Sequence, residues 1–566
     1  MTTNKRSFLP EHFEIKFETI EPFYKELLDR EIDSVETLIH WMRDRSELEA
    51  ALEEDFAWRY IKMTCDTTDE KLLADFQYFA TEIEPKIAPH TNELNKKFIA
   101  SPFVEQLDQQ KYFIYIRSLK KQLELFREKN IQLLSDLQVE QQKFAAISGA
   151  MSVEINGKEY TLEQAANFLK DTDRTVRKEA YDKITARRAQ DKDKLDDLYT
   201  SLIKLRHQVA KNADFENYRD YAFAALGRFD YTKEDCFAFH EAIEKVVVPI
   251  LAEQAEVRRE TLKLDKLKPW DTDVDVTGKP ALKPFNNGQE LLDKSILCFE
   301  KLHPYMGSCL KTMKEKHLVD LESRKGKAPG GYNYPLAETG MPFIFMNSAN
   351  SFRDLTTMVH EGGHAVHTFI SSDLELNDFK HLTSEVAELA SMSMELISMD
   401  HWDEFFTNDE DLLRAKRDQL KDVLKTLPWV AIIDCFQHWV YTHPEHTTAE
   451  RTQAWTGIYK RFGAGFVEWT DYESVMQSIW QKQLHLFEVP FYYIEYAIAQ
   501  LGAIAVWKNF KQHPEKAVED YLAALKLGYT KTIGDIYKTA GIEFNFSKKY
   551  ISDLMDFVKA ELKKLN

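Results

Sequence analysis

Glycine and proline are scarce in this chain. Of its 566 residues, 19 are Gly and 17 are Pro, roughly half the share usual in a globular protein. Turns and element ends use these residues most, so the chain has few places to break. Long helices fit that shortage, and the apolar spacing agrees. DSVETLIHWM (33–42) sets Val35, Leu38, Ile39 and Met42 at the helical period, with Asp33 and Glu36 in capping-box spacing. Residues 1–145 read as consecutive amphipathic helices, an N-terminal helical domain, within which 104–146 is one long charged helix or a pair. MSVEINGKEYTL (151–162) alternates around Asn156-Gly157, a hairpin turn, and Thr161 with Gln164 caps the next helix. Helical pattern then runs to about residue 265. A loop rich in Pro and Gly (267–289) separates it from another helix. Pro342 precedes Phe343, Ile344, Phe345 and Met346, a short apolar strand, and from 351 onward the pattern is almost wholly helical. The fold expected is mainly α, with a small β-sheet beside the helix that follows Asn350. No fixed-period repeat marks a solenoid.

Charge and cysteine content narrow the function. The formal charge is −19, and phosphate binding needs a basic surface, so nucleic acid is not an expected partner. No run of about 18 apolar residues occurs, so no membrane span is expected. The N-terminus, MTTNKRSFLPEHFEIKF, lacks an apolar leader segment. Cys65, Cys236, Cys298, Cys309 and Cys435 stand far apart, which suggests neither a disulfide framework nor a structural zinc site. A reducing cytoplasm is the simplest compartment.

The chemistry gathers in TTMVHEGGHAVHTF (356–369), a helix that Ser351 and Asp354 can cap. His360 and His364 are four apart, so their rings project from one face at neighbouring turns. With Glu361 between them they form HExxH, the pattern in which two imidazoles hold zinc and the Glu is general base. His367 lies about 10 Å along the axis from His360. That is too far to share one ion, so His367 reads as a supporting or substrate-contacting residue, or as an ordinary helix residue. A third ligand is better sought in LTSEVAELASMSMELI (382–397), which offers Glu385, Glu388 and Glu395 among Val386, Leu389, Met392 and Leu396. A carboxylate in such apolar surroundings wants a cation. Spacing alone does not choose between 385 and 388. Another Glu of this segment is expected to orient a ligand histidine.

Gly362 and Gly363 weaken the histidine helix by roughly 1 kcal/mol each relative to Ala. Missing side chains there admit a close neighbour. The expected neighbour is the helix carrying Glu388 or the 343–346 strand. A second unusual stretch is HLFEVPFYYIEYAIAQLGA (485–503). Tyr493 and Tyr496 are three apart, and tyrosine hydroxyls at that spacing can donate to a developing oxyanion. His485 can do the same, or bind substrate.

With these motifs in order, the sequence resembles the thimet oligopeptidase / oligoendopeptidase F family of metallopeptidases, closest to the oligoendopeptidase F branch. GKAPGGY (326–332), PFIFMN (342–347), HEGGHAVH (360–367), AELASMSME (387–395) and H-x₇-Y-x₂-Y (485–496) carry the resemblance, supported by 151–164 and by KLKPWD (266–271). It covers roughly residues 150–560. It implies a mainly helical zinc endopeptidase with a deep substrate channel, and a catalytic domain over 146–566 that packs with the N-terminal domain into one body. Cleavage of internal bonds in short peptides is the implied activity. Glu388 matches the family's third zinc ligand beside His360 and His364, and Glu395 matches a supporting residue. His485, Tyr493 and Tyr496 match active-site residues, with Tyr492 a near alternative to Tyr493. Phe343 and Phe345 lie on what matches an edge strand pairing with substrate backbone. Gly330 and Gly331 match a mobile loop. The position of Gly362 more often holds a bulky apolar residue in this family, which bears on local packing and subsite size.

Two rivals remain at this level. One is a zinc exopeptidase of carboxydipeptidase type on a similar fold, which needs a fixed cation for the substrate carboxylate. The other is an inactive peptide-binding scaffold. One Zn²⁺ per chain is expected, favoured over manganese or cobalt by two imidazoles and a carboxylate. A monomer and a homodimer are equally compatible with the sequence.

Overall fold

The computed structural model describes residues 6–12, 14–324 and 326–565. Residues 1–5, part of the stretch read for a leader, lie outside the described residues. Helix accounts for 71% of the structure, so the fold is mainly α. No described helix is long and apolar enough to cross a membrane.

The helix expected from residue 33 runs Val35–Cys65. Its cap is Ser34 and not Asp33. Ser34 Oγ accepts from Thr37 N at 3.2 Å, and Thr37 Oγ1 accepts from Ser34 N at 3.0 Å. Thr37 holds the third helical position and so closes the box, while Asp33 accepts a further bond from its hydroxyl at 3.0 Å. The 104–146 stretch is a pair of helices, Gln109–Leu125 and Asn130–Gly149.

Among the described residues, five strands interrupt the helices. β1 (Ser152–Ile155) and β2 (Lys158–Thr161) form the expected hairpin, with Asn156 at φ 53° and Gly157 at φ 75° in its turn. β3 (Val319–Glu322), β4 (Tyr332–Leu336) and β5 (Met341–Ser348) form a second sheet in the order β3-β5-β4. β5 pairs parallel with β3 and antiparallel with β4, with Tyr332 opposite Phe345 and Tyr334 opposite Phe343.

This corrects one expectation. The 343–346 strand lies in the middle of its sheet, and β4 is the edge. The apolar run explains the difference, because a strand buried on both faces reads as continuous hydrophobicity. Phe343 and Phe345 are buried in the core. Phe345 stacks on Tyr332 at 4.7 Å, and Phe343 meets Trp58 edge-on at 5.9 Å.

Among the described residues, the buried apolar side chains form two clusters. The smaller one gathers residues between Leu9 and Leu119, joined by Leu376 and Phe379. The larger one takes most of the rest, including Leu137 and Phe144 from the helix Asn130–Gly149. The long helix Val35–Cys65 bridges them. Its Tyr60 packs on Tyr332 and Tyr334 at 5.5 and 5.6 Å, and its Thr64 hydroxyl bonds Tyr332 OH at 2.6 Å.

Three helices position the site. The histidine helix is Phe352–Ser371, the glutamate helix Ser384–Ile397 and the tyrosine helix Ile494–Gln512. The glutamate helix packs against both of the others. Ser351 and Asp354 cap the histidine helix reciprocally, as their spacing predicts. Its two glycines have different neighbours. A Cβ at Gly363 would stand 2.7 Å from Ser391 Cα and 2.8 Å from Ala390 O, so the glutamate helix occupies that space with its backbone. A Cβ at Gly362 would stand 2.6 Å from Phe299 Cζ. The neighbour of Gly362 is therefore an aromatic ring from the helix Gly288–Leu302, neither the glutamate helix nor β5.

Candidate functional site

Gly363 lets the glutamate helix approach, and the approach sets Glu388 beside the histidines. His360 Nε2 lies 3.3 Å and His364 Nε2 3.6 Å from Glu388 Oε2. Donor atoms of the three residues lie within 4.8 Å of one another. Glu385 points elsewhere. It is buried, and its Oε1 accepts from Tyr231 OH at 2.6 Å. The geometric choice between the two glutamates is thus Glu388.

His360 and Glu388 are held from behind. His360 Nδ1 donates to Glu395 Oε1 at 2.7 Å, and Gln419 Nε2 donates to Glu395 Oε2 at 2.7 Å. That arrangement leaves the Nε2 lone pair of His360 facing Glu388. Glu388 Oε2 accepts from Ser391 Oγ at 2.9 Å, and Oε1 from Tyr492 OH at 2.8 Å. The electrostatics fit a cation. Burial disfavours charge on His360, yet Glu388 and Glu395 hold its pKa well above the ordinary value. Burial opposes the charge on Glu388 too, yet the two histidines hold its pKa well below normal. Two neutral imidazoles and a carboxylate in this arrangement suit Zn²⁺, which would balance the carboxylate without protonating the rings.

Glu361 is buried beside them, 6% exposed. Burial raises its pKa, against the opposing pull of His360 and His364. A carboxylate so placed is a competent proton acceptor near neutral pH.

A cavity of about 530 Å³ opens over this group. His360, Glu361, His364 and Glu388 line it, with Tyr492 and Tyr496 on one side and β4 on another. Among the described residues, β5 is the sole strand paired with β4, so the second edge of β4 is open to a peptide backbone. Glu53 and Phe56 of the long N-terminal helix complete a wall. His367 also lines the cavity; burial pulls its pKa down to about 3.

His485 and the tyrosines are linked. Gln483 Nε2 donates to His485 Nδ1 at 2.7 Å, which leaves Nε2 as the protonated nitrogen, 3.3 Å from Tyr496 OH. Trp429 Nε1 donates to Gln483 Oε1 at 3.1 Å and fixes the amide. Burial pulls the pKa of His485 down to about 4, so its ring is a neutral donor at pH 7. Tyr493 immediately precedes the tyrosine helix and meets the His485 ring edge-on at 4.9 Å. Neither Tyr493 nor His485 is among the cavity-lining residues, whereas Tyr492 and Tyr496 are.

Gly330 adopts φ 98°, which favours glycine, and Gly331 lines the cavity. Their loop is tied down. Asn347 Nδ2 donates to Ala328 O at 2.7 Å and to Gly330 O at 2.9 Å, and Ala328 N donates to Thr64 O at 2.8 Å.

Sequence reasoning missed several participants. Ser391 was accessible, being one turn beyond Glu388. Gln419 adjoins no motif, and Gln483, two residues before His485, lies just outside the one it serves. Tyr332, Asn333 and Tyr334 reach the cavity through the edge position of β4, which a strand pattern does not reveal.

Residues 167–556 match peptidase family M3, and residues 11–126 match the peptidase M3 N-terminal domain. The chain belongs to peptidase family M3. Family membership supports endopeptidase activity on oligopeptides and a metallopeptidase chemistry. An oligoendopeptidase F homolog of Borreliella burgdorferi is 24% identical over 422 residues, covering 73% of this chain and 69% of that protein. Oligopeptidase PepF of Bacillus subtilis is 25% identical over 393 residues, covering 69% of this chain and 57% of that protein. The solved structure of PZ peptidase A with an inhibitor superimposes with a TM-score of 0.93 at 27% identity, covering 99% of both chains.

Proposed function

We propose that this M3 peptidase is a zinc-dependent endopeptidase that hydrolyses internal bonds of short oligopeptides. The observation that carries the proposal is the convergence of His360 Nε2, His364 Nε2 and Glu388 Oε2 beside buried Glu361. His360, His364 and Glu388 would hold Zn²⁺, which when bound supplies Lewis acidity to a water and to the scissile carbonyl. Glu361 takes the proton of the attacking water and delivers it to the leaving amine. Tyr496 OH and His485 Nε2–H donate to the oxyanion as it develops. Tyr493 buttresses the His485 ring, and Tyr492 holds Glu388. Substrate backbone lies along the open edge of β4, between the cavity wall of Glu53 and Phe56 and the histidine helix.

A quenched fluorescent peptide of about ten residues, blocked at both ends, tests this reading. Internal cleavage that chelator abolishes and zinc restores supports it. An exopeptidase leaves the doubly blocked peptide intact, and a scaffold cuts nothing.

A further inference from the structure

Two helices, Lys233–Thr261 and Asp409–Thr442, pack together in the large core. Each turns a pair of polar side chains, four residues apart, toward the other: Cys236 and His240 from the first, Asp434 and His438 from the second. All four are buried, with exposures of 2%, 3%, 0% and 5%. None lines the cleft. Ligand atoms of Cys236, Asp434 and His438 lie within 4.8 Å of one another. His240 Nε2 bonds Asp434 Oδ2 at 2.8 Å, and His438 Nε2 approaches the same oxygen at 3.2 Å.

The His240–Asp434 pair does not exhaust the cluster's polar atoms. Among the described residues, Asp434 Oδ1 and both ring nitrogens of His438 have no hydrogen-bond partner. Leaving such atoms unpaired in a dry core is costly. Phe237, Phe491 and Phe223 surround the His438 ring at 4.9, 5.4 and 5.9 Å. Buried Arg228 lies 4.5 Å over the Phe223 ring, but it is engaged by Glu495 at 2.7 Å.

We propose that Cys236, Asp434 and His438 bind a second divalent metal ion of the zinc class, with His240 orienting Asp434 from behind. One thiolate, one carboxylate and one neutral imidazole balance a 2+ charge. Binding releases the Cys236 thiol proton to solvent, one per chain. The mixed sulfur, nitrogen and oxygen set excludes calcium and magnesium, which prefer oxygen alone. One ligand from the first helix and two, one turn apart, from the second give the ion a structural role, clamping the helices together. The clamp also bears on the cleft. Gln437, next to His438, accepts from Phe491 N at 2.6 Å, and Phe491 precedes the tyrosine that holds Glu388. Cysteine spacing gave no hint of this site, because its single cysteine is joined by residues nearly two hundred positions away.

Cobalt substitution tests the site, since the cleft ligands contain no sulfur. The full chain, produced in cobalt-supplemented minimal medium, is expected to carry two metal equivalents and a thiolate-to-cobalt charge-transfer band in the near ultraviolet. A Glu388→Ala variant should keep the band and one equivalent. A Cys236→Ser variant should lose the band and one equivalent. Wild-type protein with no thiolate band overturns the proposal, whatever the variants do. So does a band that persists in Cys236→Ser.

Discussion

Gly363 lies against the backbone of Ser391, so close that a Cβ would stand 2.7 Å from Ser391 Cα. Backbone cannot swing aside as a side chain can. Gly363→Ala should therefore push the glutamate helix away and withdraw Glu388 from the histidines. Expected results are a loss of about 1–3 kcal/mol of stability, from overpacking, and weakened metal binding. Gly362→Ala meets the tip of the Phe299 ring, a group that can yield. It should keep its metal, and pairing it with Phe299→Leu should recover stability that Gly362→Ala alone loses. Thermal unfolding and metal analysis on the three variants check this contrast.

Glu395 reaches the metal site only through His360. Glu395→Gln keeps the shape but weakens the acceptor that sets the ring's tautomer. Metal affinity should fall by about 10- to 100-fold. Competition with a chromogenic chelator measures it. Unchanged affinity would remove Glu395 from the site.

Tyr496 and Tyr492 should separate cleanly. Tyr496→Phe removes a hydroxyl 3.3 Å from His485 Nε2. It should lower kcat by about 10²- to 10³-fold with metal content intact. Tyr492→Phe removes the donor to Glu388 Oε1 and should weaken metal retention instead. Equal effects of the two on metal content would contradict the division of roles.

Glu488 lies within the His485 segment, and burial raises its pKa from 4.5 to about 7 against the pull of Arg206. A carboxyl whose folded pKa is raised binds more protons folded than unfolded between those values. Its contribution to stability is whole below pH 4.5 and is lost as pH rises through about 7. The upper limit is about 1.4 kcal/mol per pH unit across that window. Glu488→Gln should flatten this fall in a series of denaturant melts from pH 5 to 9. A parallel fall in both proteins would refute the assignment.

Much of this was legible in the sequence, for local reasons. HExxH, the Ser351 cap and the Asn156-Gly157 turn are fixed by residues within a few positions, and the structure forms the cap and the turn as read. What stayed hidden depends on distant partners. The Phe299 ring that fills the space at Gly362 comes from 63 residues earlier in the chain. The apolar run in β5 announced burial but not which strands would flank it, so the edge was placed on the wrong strand. Gln419 and Gln483 orient other side chains, a task that leaves no pattern of its own. Glu385 and Glu388 look alike in spacing, and only the packing of Tyr231 against one and of the histidines against the other separates them.

The most direct test of the central claim is turnover of the doubly blocked peptide by Glu361→Gln, compared with wild type at equal zinc loading. Glu361 sits between two ligand histidines, but its proposed task is proton transfer. The expected result is full zinc occupancy with turnover reduced by about 10²- to 10⁴-fold. Wild-type turnover in the zinc-loaded variant would contradict the mechanism.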